Sequence, residues 1–356
     1  MSVFLNRIST AVPPNDVHGA FVDFAAGLLE GERSAPLFDR LVKRSQIDHR
    51  WSVLTLADRG RSAVAGNEEV YRRGSFPSTA ERMRLFERFA VDLAQRAVDG
   101  LDLGDRARDV THVIAVSCTG LVAPGIDLQL IERCGLNPSV ERTVVGFMGC
   151  YAAINALKLA RHIVRSEEGA RVLIVSVELC TLHLQETNDL EKVLSFLIFG
   201  DGCAAALVTS DPVGLSLDRF HAALLPEAAD QITWRVGDHG FDMHLSGQVP
   251  GSVGEALRRG RETILDGTAI DEIDLWAVHP GGRTILDAVQ GALDLEPQAL
   301  ATSREVLRSF GNMSSATVLF VLERLMEEAN PGDRGCAMAF GPGLTAETLL
   351  FTAAAA

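Results

Sequence analysis

The amino-acid sequence predicts an α/β protein in which a strand-and-helix pattern occurs twice. Short β-rich runs alternate with amphipathic runs through the middle and the C-terminal third of the chain. Such alternation is typical of a mixed or parallel sheet with helices on both faces. We therefore expect two similar α/β halves, an N-terminal one over residues 1–215 and a C-terminal one over residues 216–356.

The individual elements follow from local periodicity. The first hundred residues look mostly helical, with apolar residues at helical spacing in Ala20–Leu29, Pro36–Lys43 and Thr79–Leu101. The predicted strands are His112–Ser117, Arg142–Phe147, Val172–Glu178, Gly202–Thr209, Leu275–His279, Gly335–Phe340 and Thr348–Thr352. The predicted helices between them are Tyr151–Arg165, Arg283–Leu293 and Met313–Glu328, and residues 210–251 are less regular.

Composition excludes some classes of function. The 356 residues carry a net charge of −14, which argues against nucleic-acid binding because phosphate recognition needs a basic surface. The six cysteines form no CxxC pair, so they indicate reduced thiols in a cytoplasmic protein. We expect no membrane span, because no run approaches the ~20 apolar residues that a span requires. We also expect no metal site. There is no HExxH motif, and His239 and His244, on either side of Asp242, are interpreted as loop residues that are close in sequence by chance.

Cys150 is the first candidate for chemistry. It follows a predicted strand and Gly149, and we expect a helix to begin at the cysteine itself. A thiol at a helix N-terminus faces unpaired N–H groups and the positive end of the helix dipole, which both favour the thiolate. Taken alone, a packed core thiol remains the commoner interpretation of such a position.

His279 and Asn312 are the candidates that could join this thiol. His279 ends an apolar strand, and the carboxyl ends of strands are where open α/β sheets hold ligands. Next to a thiol it would act as a general base or an ion-pair partner, although a hydrogen-bonded structural histidine is the local alternative. Asn312 opens a predicted helix, where it is either a helix cap or an amide donor for an oxyanion.

Five segments stand out along the chain: Gly146–Ala153, Phe199–Ala206, Val278–Gly282, Gly311–Ala316 and Ala339–Glu347. Together, and in this order, they resemble the motifs of the chalcone-synthase-like enzymes, the type III polyketide synthases. The resemblance implies a thiolase-like fold with a five-layered α-β-α-β-α core, a homodimer, and acyl-CoA and malonyl-CoA as substrates without a further cofactor.

The resemblance also implies roles for particular residues. Cys150, His279 and Asn312 would be catalytic, and Phe199 would be the gatekeeper beside the malonyl carboxylate. Arg40 and Arg44 would bind coenzyme A, with Leu37 replacing a third basic residue. Further matching positions are Gly281 and Gly282 beside the pantetheine arm, and Gly341, Pro342 and Gly343 in a loop that shapes the cavity.

Several expected pocket positions differ from the plant enzymes. Met243 replaces an aromatic gatekeeper, and Trp234 stands where plant chalcone synthases tend to have glycine. Ala123 replaces a larger dimer-contact residue. The other expected pocket residues are Cys118, Cys180, His183 and Ser314. By analogy with bacterial enzymes, this pattern indicates a fatty acyl starter and an alkylresorcinol or alkylpyrone product.

Three alternatives remain at this point. A ketoacyl-carrier-protein synthase of the initiating type shares the triad but stops after one condensation, and usually has an HQAN-like segment where this chain has His279-Pro-Gly-Gly. A papain-like thiol hydrolase also uses cysteine, histidine and asparagine, on a different fold. A non-catalytic binding protein of the thiolase-like fold would have no need of Cys150.

Overall fold

The computed structural model describes residues 1–55, 63–64 and 70–354. The helices in this part are α1 (His18–Leu28), α2 (Ala35–Ser45), α3 (Thr79–Asp99), α4 (Ile126–Arg133), α5 (Ala152–Ser166), α6 (Leu190–Ile198), α7 (Val249–Ile264), α8 (Arg283–Ala292), α9 (Ala301–Phe310) and α10 (Thr317–Glu328). The larger strands are β1 (Phe4–Ala11), β6 (His112–Ser117), β7 (Glu141–Gly146), β8 (Val172–Leu179), β9 (Asp201–Thr209), β10 (Leu215–Leu224), β11 (Ile232–Gly237), β12 (Gly240–Leu245), β13 (Leu275–Val278), β14 (Arg334–Gly341) and β15 (Thr345–Ala353). Two-residue strands are β2 (Asn15–Asp16), β3 (Trp51–Ser52), β4 (Ala63–Val64) and β5 (Tyr71–Arg72). No helix in these ranges has the length and apolar character that crossing a bilayer demands.

Nine strands form one mixed sheet in the order β13-β14-β15-β10-β1-β9-β8-β6-β7. The sheet has two sides, one with β1, β9, β8, β6 and β7 and the other with β10, β15, β14 and β13. In each side the outer strands pair in parallel, β6 with β7 and β8 in the first and β13 with β14 in the second, and the inner strands pair antiparallel. Within the described residues, the strands of the two sides are joined by the pairing of β1 with β10, through Phe4–Ser216 and Leu5–Leu215. The predicted α/β fold with two similar halves is confirmed.

Helices α5 and α10 lie between the two sides of the sheet. Helix α5 contacts β6, β8 and β9 on one side and β10 and β15 on the other, and α10 contacts β1, β9, β13 and β14. Small residues permit this close approach: four alanines of α5 are fully buried, at 152, 153, 156 and 160. Two outer apolar clusters, one with α3 and one with α7 and α8, complete the alternating layers of helix and sheet.

The largest error of the sequence-based prediction concerns β1. The first hundred residues looked mostly helical, yet Phe4–Ala11 is a strand near the middle of the sheet. A register shift between Leu5 and Arg7 interrupts the alternation of buried and exposed side chains, so the usual strand signal is lost. The irregular region after residue 210 likewise contains β10 and the hairpin of β11 and β12.

Candidate active site

One large cavity, of about 620 Å³, collects most of the predicted site residues. Cys150, His279 and Asn312 all contribute to its wall. Other predicted residues in the wall are Phe199, Met243, Trp234, Cys118, Cys180, Ser314, Arg44, Gly281, Gly282, Gly341 and Pro342. Arg40, Gly343 and His183 are not among the lining residues.

Cys150 lies in a tight turn between β7 and α5. Gly149 has a φ of +87°, and a Cβ at this position would overlap the ring of Pro342, so glycine is required. The prediction that the helix begins at Cys150 is wrong, because α5 begins at Ala152. The Cys150 thiol donates a long hydrogen bond to the Ser314 hydroxyl, with Sγ 3.8 Å from Oγ.

His279 directly follows β13 and is 1% exposed. Its backbone N–H donates to Met338 O at 2.8 Å, which fixes the position of the residue. Both ring nitrogens are buried without a hydrogen-bond partner in the described part of the chain. A buried polar atom without a partner costs about 1–3 kcal/mol, so this imidazole is available for a ligand at a price in stability.

Asn312 is held on both sides of its amide. Its Oδ1 accepts from Ser314 N at 2.8 Å, and its Nδ2 donates to Gly281 O at 3.3 Å. The amide also lies within interaction range of the Cys150 thiol. The predicted start of the following helix at Met313 is wrong: a single 3₁₀ turn over Ser314–Ala316 comes first, and α10 begins at Thr317.

Burial opposes an isolated charge on either Cys150 or His279, the two candidate catalytic groups. It raises the pKa of the Cys150 thiol to about 12 and lowers the pKa of the His279 imidazole to about 3. The expected gain from the helix N-terminus is therefore outweighed at Cys150, because the sulfur is removed from water and α5 begins two residues later. Transfer of the thiol proton to the imidazole would create two charges that compensate each other.

Phe199 and the hairpin of β11 and β12 form an apolar part of the wall. Phe199 is 6% exposed and is the C-cap of α6, and its backbone pairs with Asn312 in an isolated β-bridge. Trp234 and Met243 face each other across the hairpin. The indole N–H of Trp234 donates to Cys118 O at 2.8 Å, so the ring is fixed in place.

His183 has a structural role. Its Nε2 lies 2.7 Å from Thr119 O and its Nδ1 accepts from Phe241 N at 3.1 Å, so both ring nitrogens are occupied. The ring also stacks on Phe241, with centroids 4.2 Å apart. His183 is not among the residues that line the cavity, and its ring nitrogens are engaged by Thr119 and Phe241.

Two residues near the site escaped the sequence analysis. Glu178 is fully buried in β8 and accepts hydrogen bonds from Thr119, Ser315 and the backbone of Cys118. A single acidic residue inside the apolar run of residues 172–179 could have indicated a buried, hydrogen-bonded carboxylate, because charged residues are rarely buried without partners. Arg283 lines the cavity beside Arg44 and donates to Arg44 O at 3.3 Å, and its position directly after Gly282 was a second signal.

The fold and the site define a class: a condensing enzyme of the thiolase-like fold with a cysteine, a histidine and an asparagine around one cavity. Sequence profiles identify its family. The N-terminal domain of chalcone and stilbene synthases matches residues 8–212, and their C-terminal domain matches residues 217–355. The chain belongs to the chalcone and stilbene synthase family and is a type III polyketide synthase.

Individual relatives agree with this assignment. The chain is 36% identical to the α-pyrone synthesis polyketide synthase-like protein Pks18 of Mycobacterium tuberculosis, over 80% of this chain and 75% of Pks18. It resembles the crystal structure of 1,3,6,8-tetrahydroxynaphthalene synthase from Streptomyces coelicolor with a TM-score of 0.88 and 29% identity, over 99% of this chain and all (100%) of that one. It also resembles CsyB in complex with coenzyme A, with a TM-score of 0.86 and 26% identity, over 99% and 100% of the two chains. The fold excludes the papain-like alternative, and the family match excludes the single-condensation synthase and the non-catalytic binding protein.

Proposed function

We propose that this enzyme loads a fatty acyl group from acyl-CoA onto Cys150, extends it with malonyl-CoA and cyclises the product to an alkylresorcinol or an alkylpyrone. The observation that carries the proposal is the placement of a thiol, an unpartnered imidazole and an amide in the wall of one apolar cavity of about 620 Å³. The name of Pks18, which refers to α-pyrone synthesis, supports the pyrone outcome.

Loading is a thioester exchange. His279 takes the thiol proton, and the Cys150 sulfur attacks the acyl carbonyl carbon. The bond between that carbon and the CoA sulfur breaks, and the CoA thiolate leaves with a proton from the imidazolium. The result is an acyl thioester on Cys150 and free CoA, so no metal and no prosthetic group is needed.

Decarboxylation generates the carbon nucleophile. The bond between the malonyl methylene and its carboxylate breaks, CO₂ leaves, and the electron pair forms an enolate on the thioester oxygen. His279 and the Asn312 amide donate hydrogen bonds to that oxygen as its charge develops. The ring of Phe199 gives the carboxylate an apolar neighbour, which favours loss of the charge.

Condensation then joins the two units. The enolate carbon attacks the acyl carbonyl on Cys150, a carbon–carbon bond forms, and the carbon–sulfur bond breaks to return the thiolate. The extended chain remains a CoA thioester that can reload. Repetition followed by ring closure gives the product.

The cavity wall favours a fatty starter because most of its side chains are apolar. Trp234 and Met243 form part of this wall, and Cys118 and Cys180 add small, weakly polar surfaces. The aliphatic residues of the wall are Leu37, Leu41, Leu190, Leu194, Leu197, Ile198, Ile232, Leu245, Val249 and Ile285.

Coenzyme A is proposed to enter beside Arg44 and Arg283. Both cations belong to the wall, and Arg44 is exposed on α2. Guanidinium groups bind phosphate oxygens well. Gly281 and Gly282 leave room for the pantetheine arm, and Arg40, exposed on the same helix as Arg44, supplies long-range attraction. The CoA complex of CsyB supports this assignment.

A homodimer is proposed as the working unit, in the cytoplasm. Strand β7 is an edge strand whose side chains are mostly exposed. Val144 is 62% exposed, Leu121 is 54% exposed and Met148 is 37% exposed. An exposed apolar edge strand pairs readily with a second copy. Ala123 lies in the same loop as Leu121 and presents little bulk to that partner.

Sedimentation velocity tests the dimer. The wild-type protein is expected at twice the monomer mass, and Val144→Arg at the monomer mass, because a charge would enter the apolar contact. Val213→Arg is the matched control, since Val213 is 54% exposed and lies in the turn before β10. A wild-type monomer at micromolar concentration would contradict the proposal.

Product analysis across acyl-CoA chain lengths tests the proposed reaction. With malonyl-CoA we expect CO₂, free CoA and alkylated ring products, with higher kcat/KM for medium or long starters than for acetyl-CoA. Each buried methylene contributes about 0.8 kcal/mol, so two further carbons within the cavity raise kcat/KM about tenfold. Equal turnover for all starters, or products without an alkyl chain, would contradict the fatty-starter proposal.

A further inference from the structure

Two arginines outside the triad are fully buried. Arg50 is 2% exposed and Arg82 is 0% exposed, and the Nη2 atom of each has no hydrogen-bond partner in the described residues. Burial of a guanidinium costs several kcal/mol unless hydrogen bonds compensate it. The acceptors of each arginine therefore show which part of the fold it holds.

Arg50 holds the end of α6. Its Nη1 donates to Phe196 O at 2.9 Å and to Phe199 O at 2.7 Å. Its Nε donates to His18 Nδ1 at 3.0 Å, and its guanidinium lies 4.5 Å from the ring centre of Phe21. The carbonyl of the proposed gatekeeper is thus bound by a group that is itself fixed on two other sides.

The same segment is tied to Asn312. Asn312 N donates to Ile198 O at 2.7 Å, and Gly200 N donates to Asn312 O at 3.0 Å. Gly311 has a φ of +70°, and a Cβ there would lie 2.9 Å from Arg50 Cγ. The aliphatic part of the Arg50 side chain therefore packs beside Gly311, next to the backbone hydrogen bonds that connect residues 198–200 with Asn312.

We propose that Arg50 is a positioning residue for malonyl decarboxylation, which fixes the Phe199 ring relative to the Asn312 amide. This inference rests on the proposed function, in which these two groups face the malonyl unit. Loading depends instead on Cys150 and His279, which lie on other segments and receive no hydrogen bond from Arg50. Loss of Arg50 then slows one half-reaction more than the other.

Arg82 is a matched control within the same protein. Its Nη1 donates to Leu182 O at 2.6 Å and to Leu184 O at 2.9 Å, and its guanidinium lies 5.3 Å from the ring centre of Tyr71. It is equally buried and also donates to two carbonyls, but neither carbonyl belongs to Phe199 or Asn312. Its removal reports the cost of losing a buried arginine as such.

The experiment compares Arg50→Met with Arg82→Met by three measurements. Thermal unfolding reports stability, intact-protein mass after mixing with an acyl-CoA reports the loading rate on Cys150, and CO₂ release from malonyl-CoA reports decarboxylation. Both variants are expected to lose stability. Arg50→Met is expected to lower kcat for decarboxylation about 10²-fold, because displacement by about 1 Å has that effect, with KM little changed and loading much less affected. Arg50→Lys should recover part of the decarboxylation rate, and Arg82→Met should keep the wild-type ratio of the two rates.

The proposal is overturned by a wild-type ratio in folded Arg50→Met or by an equal change of the ratio in Arg82→Met. If Arg50→Met does not fold, His18→Phe removes the acceptor of Arg50 Nε and should shift the ratio in the same direction, by less. An unchanged ratio in that variant overturns the proposal as well. Failure of the proposed function is distinct, since the wild-type enzyme would then form no adduct and release no CO₂.

Discussion

Cys150→Ala is expected to abolish the acyl adduct on the protein and to lower product formation by about 10⁴-fold or more, since it removes the thiol proposed to hold the growing chain. Intact-protein mass spectrometry after incubation with a medium-chain acyl-CoA measures the adduct directly. Slow CO₂ release from malonyl-CoA should persist, because the proposed oxyanion donors, His279 and Asn312, are unchanged in this variant.

Cys180→Ala is the control for this change. Cys180 also lines the cavity and is 4% exposed, so Cys180→Ala likewise removes one sulfur atom from the cavity wall. This variant should keep the adduct on Cys150. An adduct that persists in Cys150→Ala, or disappears in Cys180→Ala, would show that the nucleophile has been assigned wrongly.

His279→Ala is expected to lower decarboxylation by about 10²- to 10³-fold, the usual cost of losing one oxyanion donor. It should also change how the reactivity of Cys150 depends on pH. If the imidazole accepts the thiol proton, as we propose, alkylation of the wild-type enzyme by iodoacetamide should vary little between pH 6 and pH 8. Without the imidazole, burial keeps the pKa of Cys150 high.

The sign of the pH effect follows from that raised pKa. When the pH is far below the pKa of a thiol, the thiolate fraction rises about tenfold per pH unit. The rate of alkylation of His279→Ala should therefore be low at pH 7 and rise steeply towards pH 9. His183→Asn is the control, because His183 is a buried histidine near the same cavity whose ring nitrogens are both occupied. A steep pH dependence in the wild-type enzyme would contradict the proposed pairing of Cys150 with His279.

Much of the site was predictable because it lies where local signals are strong. Cys150 and Asn312 stand beside glycines at the ends of elements, and His279 ends an apolar strand, so position and residue type agree. Glu178 and Arg50 were missed because their importance comes from partners distant in the sequence. Arg50 is 149 residues from Phe199, and Glu178 is 137 residues from Ser315. The partners of His183 were not predictable either, because sequence position does not reveal that Thr119 and Phe241 occupy its ring nitrogens.

The same contrast holds for the fold. Strands β6 and β8 are continuous apolar runs, which is the pattern of strands buried on both faces, and they were predicted within a residue or so. Strand β1 lacks a regular pattern because of its register shift, and only its pairing with β9 and β10 makes it a strand.

The position of α5 between the two sides of the sheet limits how this enzyme can be re-engineered. The cysteine comes from the N-terminal half and the histidine and asparagine from the C-terminal half, but both halves bury their inner faces against the same alanine-rich helix. A chimera that joins residues 1–215 of this chain to the second half of a distant homologue would confront α5 with unfamiliar side chains from β10 and β15. Folding of such a hybrid should be restored when β10 and β15 are also taken from this chain, so that they match α5. Changing the residues around the Cys150 sulfur should not restore it.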